Sequence, residues 1–311
     1  MCSAVMTTLA RDMDPFVEPL GDDRFLIDLV SRVSHVPPQE VVERLKKEHY
    51  DLGVNVRDAL SARGIKPFRW SDELETFYAE SDAFLYESLV WNRTSLKNDM
   101  RRWIAAHLDG ISDAPKRVLT FGDGLGFDAF YLAKVGHQVT YFDVSERCSS
   151  FAQSIFERGD LDIRMLADPA DLSAKSFDVV ICLDVLEHVP DPASLVKWLS
   201  EALREGGRMI VHAPFFFLHR CVSTHLKSNR KYSGDVRRLY RLCDLYPVDG
   251  QFFWNPIVFE KRSGGAKVRS QRPPFRVTAG KGLLTFGRFW SLPFNTITRM
   301  IATADKKQLV R

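Results

Sequence analysis

Two kinds of residue in this chain are spaced so that they could do chemistry. In the run FGDGLGFDAF, Gly122, Gly124 and Gly126 stand two apart, after an apolar stretch and just before a helical one. Glycines so placed let a backbone approach a nucleotide closely while a helix N-terminus faces it. The spacing is G-x-G-x-G, because position 127 is Phe, and this excludes the G-x-G-x-x-G turn of dinucleotide binders. The second kind is histidine: His188 alone, then His212, His219 and His225. Imidazole accepts a proton near neutral pH, so each is a candidate base. The ordinary alternative is a hydrogen-bonded structural histidine, the reading favoured for His212. His225 lies in the polar, basic THLKSNRKYSGD, which favours function.

These residues need elements to position them. Residues 1–112 read as a helical region, with Ser71 ahead of an apolar-periodic run and Pro37-Pro38 suiting a first helical turn. The pattern changes at GISDAPKR, and from Lys116 short apolar strands alternate with helices: KRVLTF, HQVTYFDV, DIRMLA, FDVVICL and RMIVHA as strands, with PASLVKWLSEALREGG as the last intervening helix. Such alternation predicts an α/β fold with a parallel, doubly wound sheet. A basic segment at 214–245 reads as an insertion, followed by a last strand in GQFFWNPIVFEKR. The expected units are therefore 1–112 (a cap or dimer face), 113–262 (the cofactor-binding domain) and 263–311 (a basic, apolar tail). Ligands of such sheets bind at the C-terminal ends of the strands, where His188 and His225 fall.

Four segments, in order, resemble the motifs of class I S-adenosylmethionine-dependent methyltransferases. The glycine turn is similar to their first motif, whose glycines make room for the amino-acid end of the cofactor. VTYFDVS ends the second strand on Asp143, 21 residues after Gly122, and the resemblance implies that this carboxylate accepts from the ribose hydroxyls. It likewise implies Asp168, in LADPADL, at the adenine amino group, and Asp184, in DVLEH, at the end of the fourth strand. A Rossmann-like seven-stranded sheet and S-adenosylmethionine as cofactor are implied with them. One departure is Thr120, where the family usually carries Asp or Glu; Asp123 is the favoured replacement for holding the methionine ammonium, ahead of Asp128. DVLEH also resembles a run in plant small-RNA 3′-end methyltransferases and in ubiquinone-pathway O-methyltransferases, both of which use metal. That likeness implies a divalent metal on Asp184, Glu187, His188 and His225, a donor set that suits several ions. Since LEHV also occurs in metal-independent relatives, the metal is a secondary expectation, and His188 and His225 as catalytic residues the primary one.

Methyl transfer to a hydroxyl needs a base or a metal, because the hydroxyl pKa lies far above 7. The leading expectation is O-methylation of a small-molecule or glycan acceptor; seven Lys and Arg in 214–245 suit an anionic one. Alternatives are an RNA methyltransferase and a non-catalytic cofactor-binding protein. The chain of 311 residues is 45% hydrophobic and has five cysteines without C-x-x-C spacing, which argues against a disulfide framework. With no signal-like start, a cytoplasmic location is expected. From Lys261 onward there are 12 Lys and Arg against one acid, Asp305. This block suggests an anionic partner, nucleic acid or membrane. The apolar-basic 282–302 offers a peripheral membrane contact, with packing onto the N-terminal helices the favoured explanation, and a homodimer is a further expectation.

Overall fold

A computed structural model describes residues 14, 19–111, 114–172, 174–251, 256–262 and 274–290. Among the described residues six helices come first: α1 (Asp23–Ser34), α2 (Pro38–Tyr50), α3 (Val54–Ala62), α4 (Asp72–Glu80), α5 (Ala83–Asn92) and α6 (Ser95–Asp109). Their starts follow from side chains that satisfy the free N–H groups of a first turn. Asp22 accepts from Phe25 N, Ser71 from Leu74 N and Thr94 from Lys97 N. Pro38 opens α2, where a missing N–H costs nothing.

The alternating part then runs β1 (Arg117–Phe121), α7 (Phe127–Lys134), β2 (Gln138–Phe142), α8 (Glu146–Arg158), β3 (Arg164–Met165), β4 (Phe177–Leu183), α9 (Pro192–Ala202) and β5 (Leu203–His212). A short α10 (Val236–Leu239), β6 (Leu245–Gly250), β7 (Ile257–Lys261) and α11 (Phe275–Phe289) complete the order. The sheet has seven strands in the order β3-β2-β1-β4-β5-β7-β6. Pairing is parallel from β3 through β5, and β7 runs antiparallel to both β5 and β6. The expected seven-stranded, doubly wound α/β sheet is present.

Side-chain alternation divides the core between the two faces of this sheet. Val118, Val179, Ile181 and Leu183 join one cluster with Leu26, Leu85, Leu89 and Ile104 of the first helices and with α7 and α8. Leu119, Val180, Cys182 and Met209 face the other way, onto Val196 and Leu199 of α9 and Val277 and Leu284 of α11. The N-terminal helices thus share a core with the sheet, each buried Leu or Ile contributing about 1.5–3 kcal/mol.

Three elements differ from expectation. The helix expected through LREGG ends at Ala202, and Leu203 already pairs with Phe177 beside an irregularity in the ladder. β6 is unexpected because Pro247 stands within it; as an edge strand it tolerates a missing N–H, and the register shifts between Pro247 and Asp249. The helical part of the tail begins at Phe275, earlier than the 282–302 stretch, whose residues 291–302 lie outside the described residues. Among the described residues no helix is long and apolar enough to cross a membrane.

Candidate active site

The glycine turn closes the C-terminal end of β1. Gly122 has φ +71°, and a Cβ there would lie 2.4 Å from Val185 Cγ2, so only glycine fits. Gly126, φ +77°, lies against α8 instead, where a Cβ would meet Ala152 Cβ at 2.8 Å. It packs the helix, whereas Gly122 and Gly124 line a cavity of about 100 Å³ together with Ser88, Trp91, Lys97, Thr120, Asp123 and Asp184. Thr120 Oγ1 is buried in this wall without a hydrogen-bond partner among the described residues. A glycine-lined cavity with an orphaned hydroxyl fits the polar amino-acid end of a nucleoside cofactor.

The acids around the turn are mostly engaged. Asp143 accepts from Gly124 N at 2.8 Å and Ser145 N at 2.9 Å, and burial holds its carboxyl above the usual range against those two bonds. Asp123 accepts from Asp128 N at 3.2 Å and Ala129 N at 2.7 Å in the first turn of α7. Burial and the neighbouring Asp128 charge push its carboxyl up to about 8. Asp128 also lines the cavity and accepts from Lys97 Nζ at 2.8 Å and Arg101 Nε at 2.7 Å. Burial opposes its charge, but these two cations keep it below the ordinary value. Asp168 is exposed, accepts from Ala170 N at 2.7 Å and does not line the cavity.

At the end of β4 the chain turns sharply, with Asp184 at φ +58°. Its carboxylate receives Trp91 Nε1 at 3.1 Å and lies 2.6 Å from His212 Nδ1. Burial again opposes the charge, and His212 holds the carboxyl well below the usual range. Asp184 is therefore drawn away from the other three residues expected as metal ligands. Those three do converge: one ligand atom each from Glu187, His188 and His225 lies within 4.8 Å of the others.

This cluster has the chemistry of a cation site. Glu187 is 1% exposed, and among the described residues neither carboxyl oxygen has a hydrogen-bond partner; His225 Nε2 is 3.8 Å from Oε1. Burial and the Asp184 charge push its carboxyl well above the ordinary value. His225 Nδ1 is 2.6 Å from the Phe217 carbonyl, to which it donates, leaving Nε2 bare toward Glu187. Tyr78 Oη lies 3.0 Å from His188 Nδ1. Burial lowers His188 to about 4, and burial with the adjacent His188 lowers His225 well below its usual value, so both imidazoles are neutral at pH 7. An unpaired carboxyl beside two neutral imidazoles fits a divalent cation.

The backbone that presents these groups is tied across the loop. Leu226 N donates to Glu187 O, and Asn229 Nδ2 donates to the carbonyls of Leu186, Glu187 and Val189. His219 lies 3.0 Å from Cys221 Sγ, outside the cluster. Six of the seven Lys and Arg of 214–245 are exposed, and the seventh, Arg230, donates to Arg288 O, so none lines the cavity. Sequence reasoning missed Trp91, Lys97, Arg101 and Tyr78. Lys97 and Arg101 stand four apart in α6, in line with the apolar Ile104 and Leu108, and that pattern was the available signal.

Residues 93–247 match a family model described as a methyltransferase domain. Curated relatives include the ubiquinone biosynthesis O-methyltransferase of Idiomarina loihiensis, 38% identical over 128 residues, or 40% of this chain and 50% of that one. The enzyme of the same description from Stutzerimonas stutzeri is 38% identical over 111 residues, 34% of this chain and 47% of that one. The chain spans about half the length of these curated relatives. A solved Burkholderia thailandensis 1,6-didemethyltoxoflavin-N1-methyltransferase aligns with a TM-score of 0.44 at 21% identity, over 56% of this chain and 81% of that one. With the strand order and glycine turn, the match defines 93–247 as a class I S-adenosylmethionine-dependent methyltransferase domain.

Proposed function

We propose that this protein transfers a methyl group from S-adenosylmethionine to a hydroxyl of a small-molecule acceptor, with a divalent cation on Glu187, His188 and His225. The observation that carries this reading is the buried, unpaired Glu187 between two neutral imidazoles on the loop that leaves the cofactor cavity. The curated relatives carry ubiquinone biosynthesis O-methyltransferase names, which supports a small-molecule oxygen acceptor over RNA or a non-catalytic role.

The cofactor supplies a methyl on a sulfonium, already activated for in-line displacement, and a bound cation would lower the pKa of an acceptor hydroxyl. The protein's task is then positioning and proton handling. Gly122 and Gly124 admit the cofactor's amino-acid end, Thr120 Oγ1 and Asp123 face its polar groups, and Asp143 accepts from the ribose. Asp123 is capping α7 but retains lone pairs toward the cavity, and an ammonium there would favour its ionised form. Asp168 keeps the adenine role implied by the family resemblance. Asp184 orients Trp91 and His212 at the cavity wall. His188 and His225, neutral at pH 7, either hold the cation or accept the hydroxyl proton.

The test combines calorimetry with a transfer assay. S-adenosylmethionine should bind the wild type, and labelled methyl should pass to catechol-type acceptors in a reaction that chelator stops and added cation restores. Absence of binding heat would overturn the cofactor assignment, and transfer indifferent to chelator would return the proton to the histidines alone.

A further inference from the structure

Helix α11 has one side in the core and an apolar patch on the other. Val277, Gly280, Leu284 and Gly287 are buried, three or four residues apart, and pack beside β6 and the 3₁₀ turn Lys227–Tyr232. On the opposite side, Phe275, Phe286 and Phe289 are 85%, 50% and 79% exposed, and Trp290, just past the helix end, is 56% exposed. At 3.6 residues per turn the three phenylalanines fall within roughly 60° of arc. Lys281 and Arg288 flank them, Arg276 is paired with Asp249 of β6, and α11 itself contains no acid. The rest of the sequence from Lys261 onward continues the bias, with nine Lys and Arg against Asp305.

Aromatic rings left bare in water are costly and mark a contact surface. Rings flanked by cations, on a helix lying along the surface, suit the boundary of headgroup and acyl chain in an anionic bilayer, where each cation near the surface adds attraction. The helix is also fastened to the segment that ties down the Glu187 loop. Arg230 donates to Arg288 O at 3.0 Å and Ser233 Oγ to Leu284 O at 2.8 Å. Gly234 admits α11 so closely that a Cβ there would lie 2.4 Å from Thr285 Oγ1. Asn229, in the same 3₁₀ turn as Arg230, holds the carbonyls of the Glu187 loop.

We propose that the outward face of α11 docks the protein on an anionic lipid bilayer through Phe275, Phe286 and Phe289, with Lys281 and Arg288 meeting the headgroups. Docking there brings the segment hydrogen-bonded to the Glu187 loop close to the membrane surface. Membrane docking rests on the helix alone and does not depend on the methyl-transfer reading.

Co-sedimentation of the full chain with vesicles of phosphatidylcholine, and of phosphatidylcholine mixed with phosphatidylglycerol, tests it. The wild type should sediment with the anionic vesicles and far less with the neutral ones, and added salt should release it. Phe286→Ser/Phe289→Ser and Lys281→Glu/Arg288→Glu, all at partly or fully solvent-facing side chains, should each lower the partition coefficient roughly tenfold or more while leaving the melting temperature unchanged. Full recovery of the wild type in the supernatant with both vesicles would overturn the proposal. So would wild-type partitioning by both double variants. A lipid-free dimer that Phe286→Ser/Phe289→Ser dissociates would overturn it in favour of a second copy.

Discussion

Replacing Glu187 by Gln separates a cation site from a merely buried acid. In the free protein, burial and the Asp184 charge push the Glu187 carboxyl well above its ordinary value, toward the neutral form, and its oxygens make no hydrogen bonds among the described residues. A neutral amide of the same shape should therefore fold almost as well, with stability within about 1 kcal/mol of wild type. The cation-bound state behaves differently, because the amide cannot supply the negative charge. At a cation concentration about 100 times the dissociation constant, the wild type should gain about 2.7 kcal/mol. For a chain of 311 residues that is a rise in melting temperature of about 4 °C.

The assay is thermal unfolding with Mg²⁺, Mn²⁺ and Zn²⁺ in turn, against chelator. The wild type should shift with at least one ion, and Glu187→Gln with none. A bound carboxylate must shed its proton, so the shift should also grow as pH rises from mildly acid to mildly alkaline. Equal shifts in both proteins, or none in the wild type, would refute the assignment and leave Glu187 as a neutral packing residue.

Asp143→Ala should weaken S-adenosylmethionine about a hundredfold by calorimetry, since it removes charge-assisted bonds of about 1.5–3 kcal/mol each; an unchanged affinity would count against its ribose role. Two glycine substitutions should part company: Gly126→Ala, whose Cβ would lie 2.8 Å from Ala152 Cβ, should cost about 2–3 kcal/mol in urea unfolding. Gly124→Ala, whose Cβ meets only Ser88 Oγ at 3.7 Å, should cost about 1 kcal/mol and chiefly reduce cofactor affinity. Lys97→Met leaves buried Asp128 with Arg101 alone and should lower stability by about 3 kcal/mol in the same measurement. His137, lowered to about 4 by burial and then by Lys116, stays neutral in the fold while the unfolded chain protonates near 6.5. Its contribution is whole above 6.5 and is lost as pH falls toward 4, by up to about 3 kcal/mol, and His137→Gln should flatten that part of the stability profile.

The fold was legible where local pattern and tertiary role agree. FDVVICL alternates between two apolar faces because both are covered, and the glycines of FGDGLG take the left-handed conformations their sequence announces. Pro247 is the converse: locally it opposes a strand, and only its place at the sheet edge, which no local signal carries, makes β6 acceptable. The site divides along the same line. Asp184, Glu187 and His188 are spaced as if they shared one helical face, yet the chain leaves β4 through a left-handed Asp184 and forms no helix there. One carboxylate consequently turns to Trp91 and His212, while the other turns to His225, brought from the following segment by the Leu226–Glu187 backbone bond. Residue type identifies which acids could bind something; which of them remains unpaired depends on partners distant in sequence. Asp128 meets Lys97 and Arg101, 31 and 27 residues earlier. Asp123 and Asp143 meet backbone N–H groups of the turn. Glu187 is buried with no such partner, and a buried carboxyl left unpaired is stable only as a neutral acid or beside a cation, which is why the measurement on Glu187 distinguishes the readings of this site.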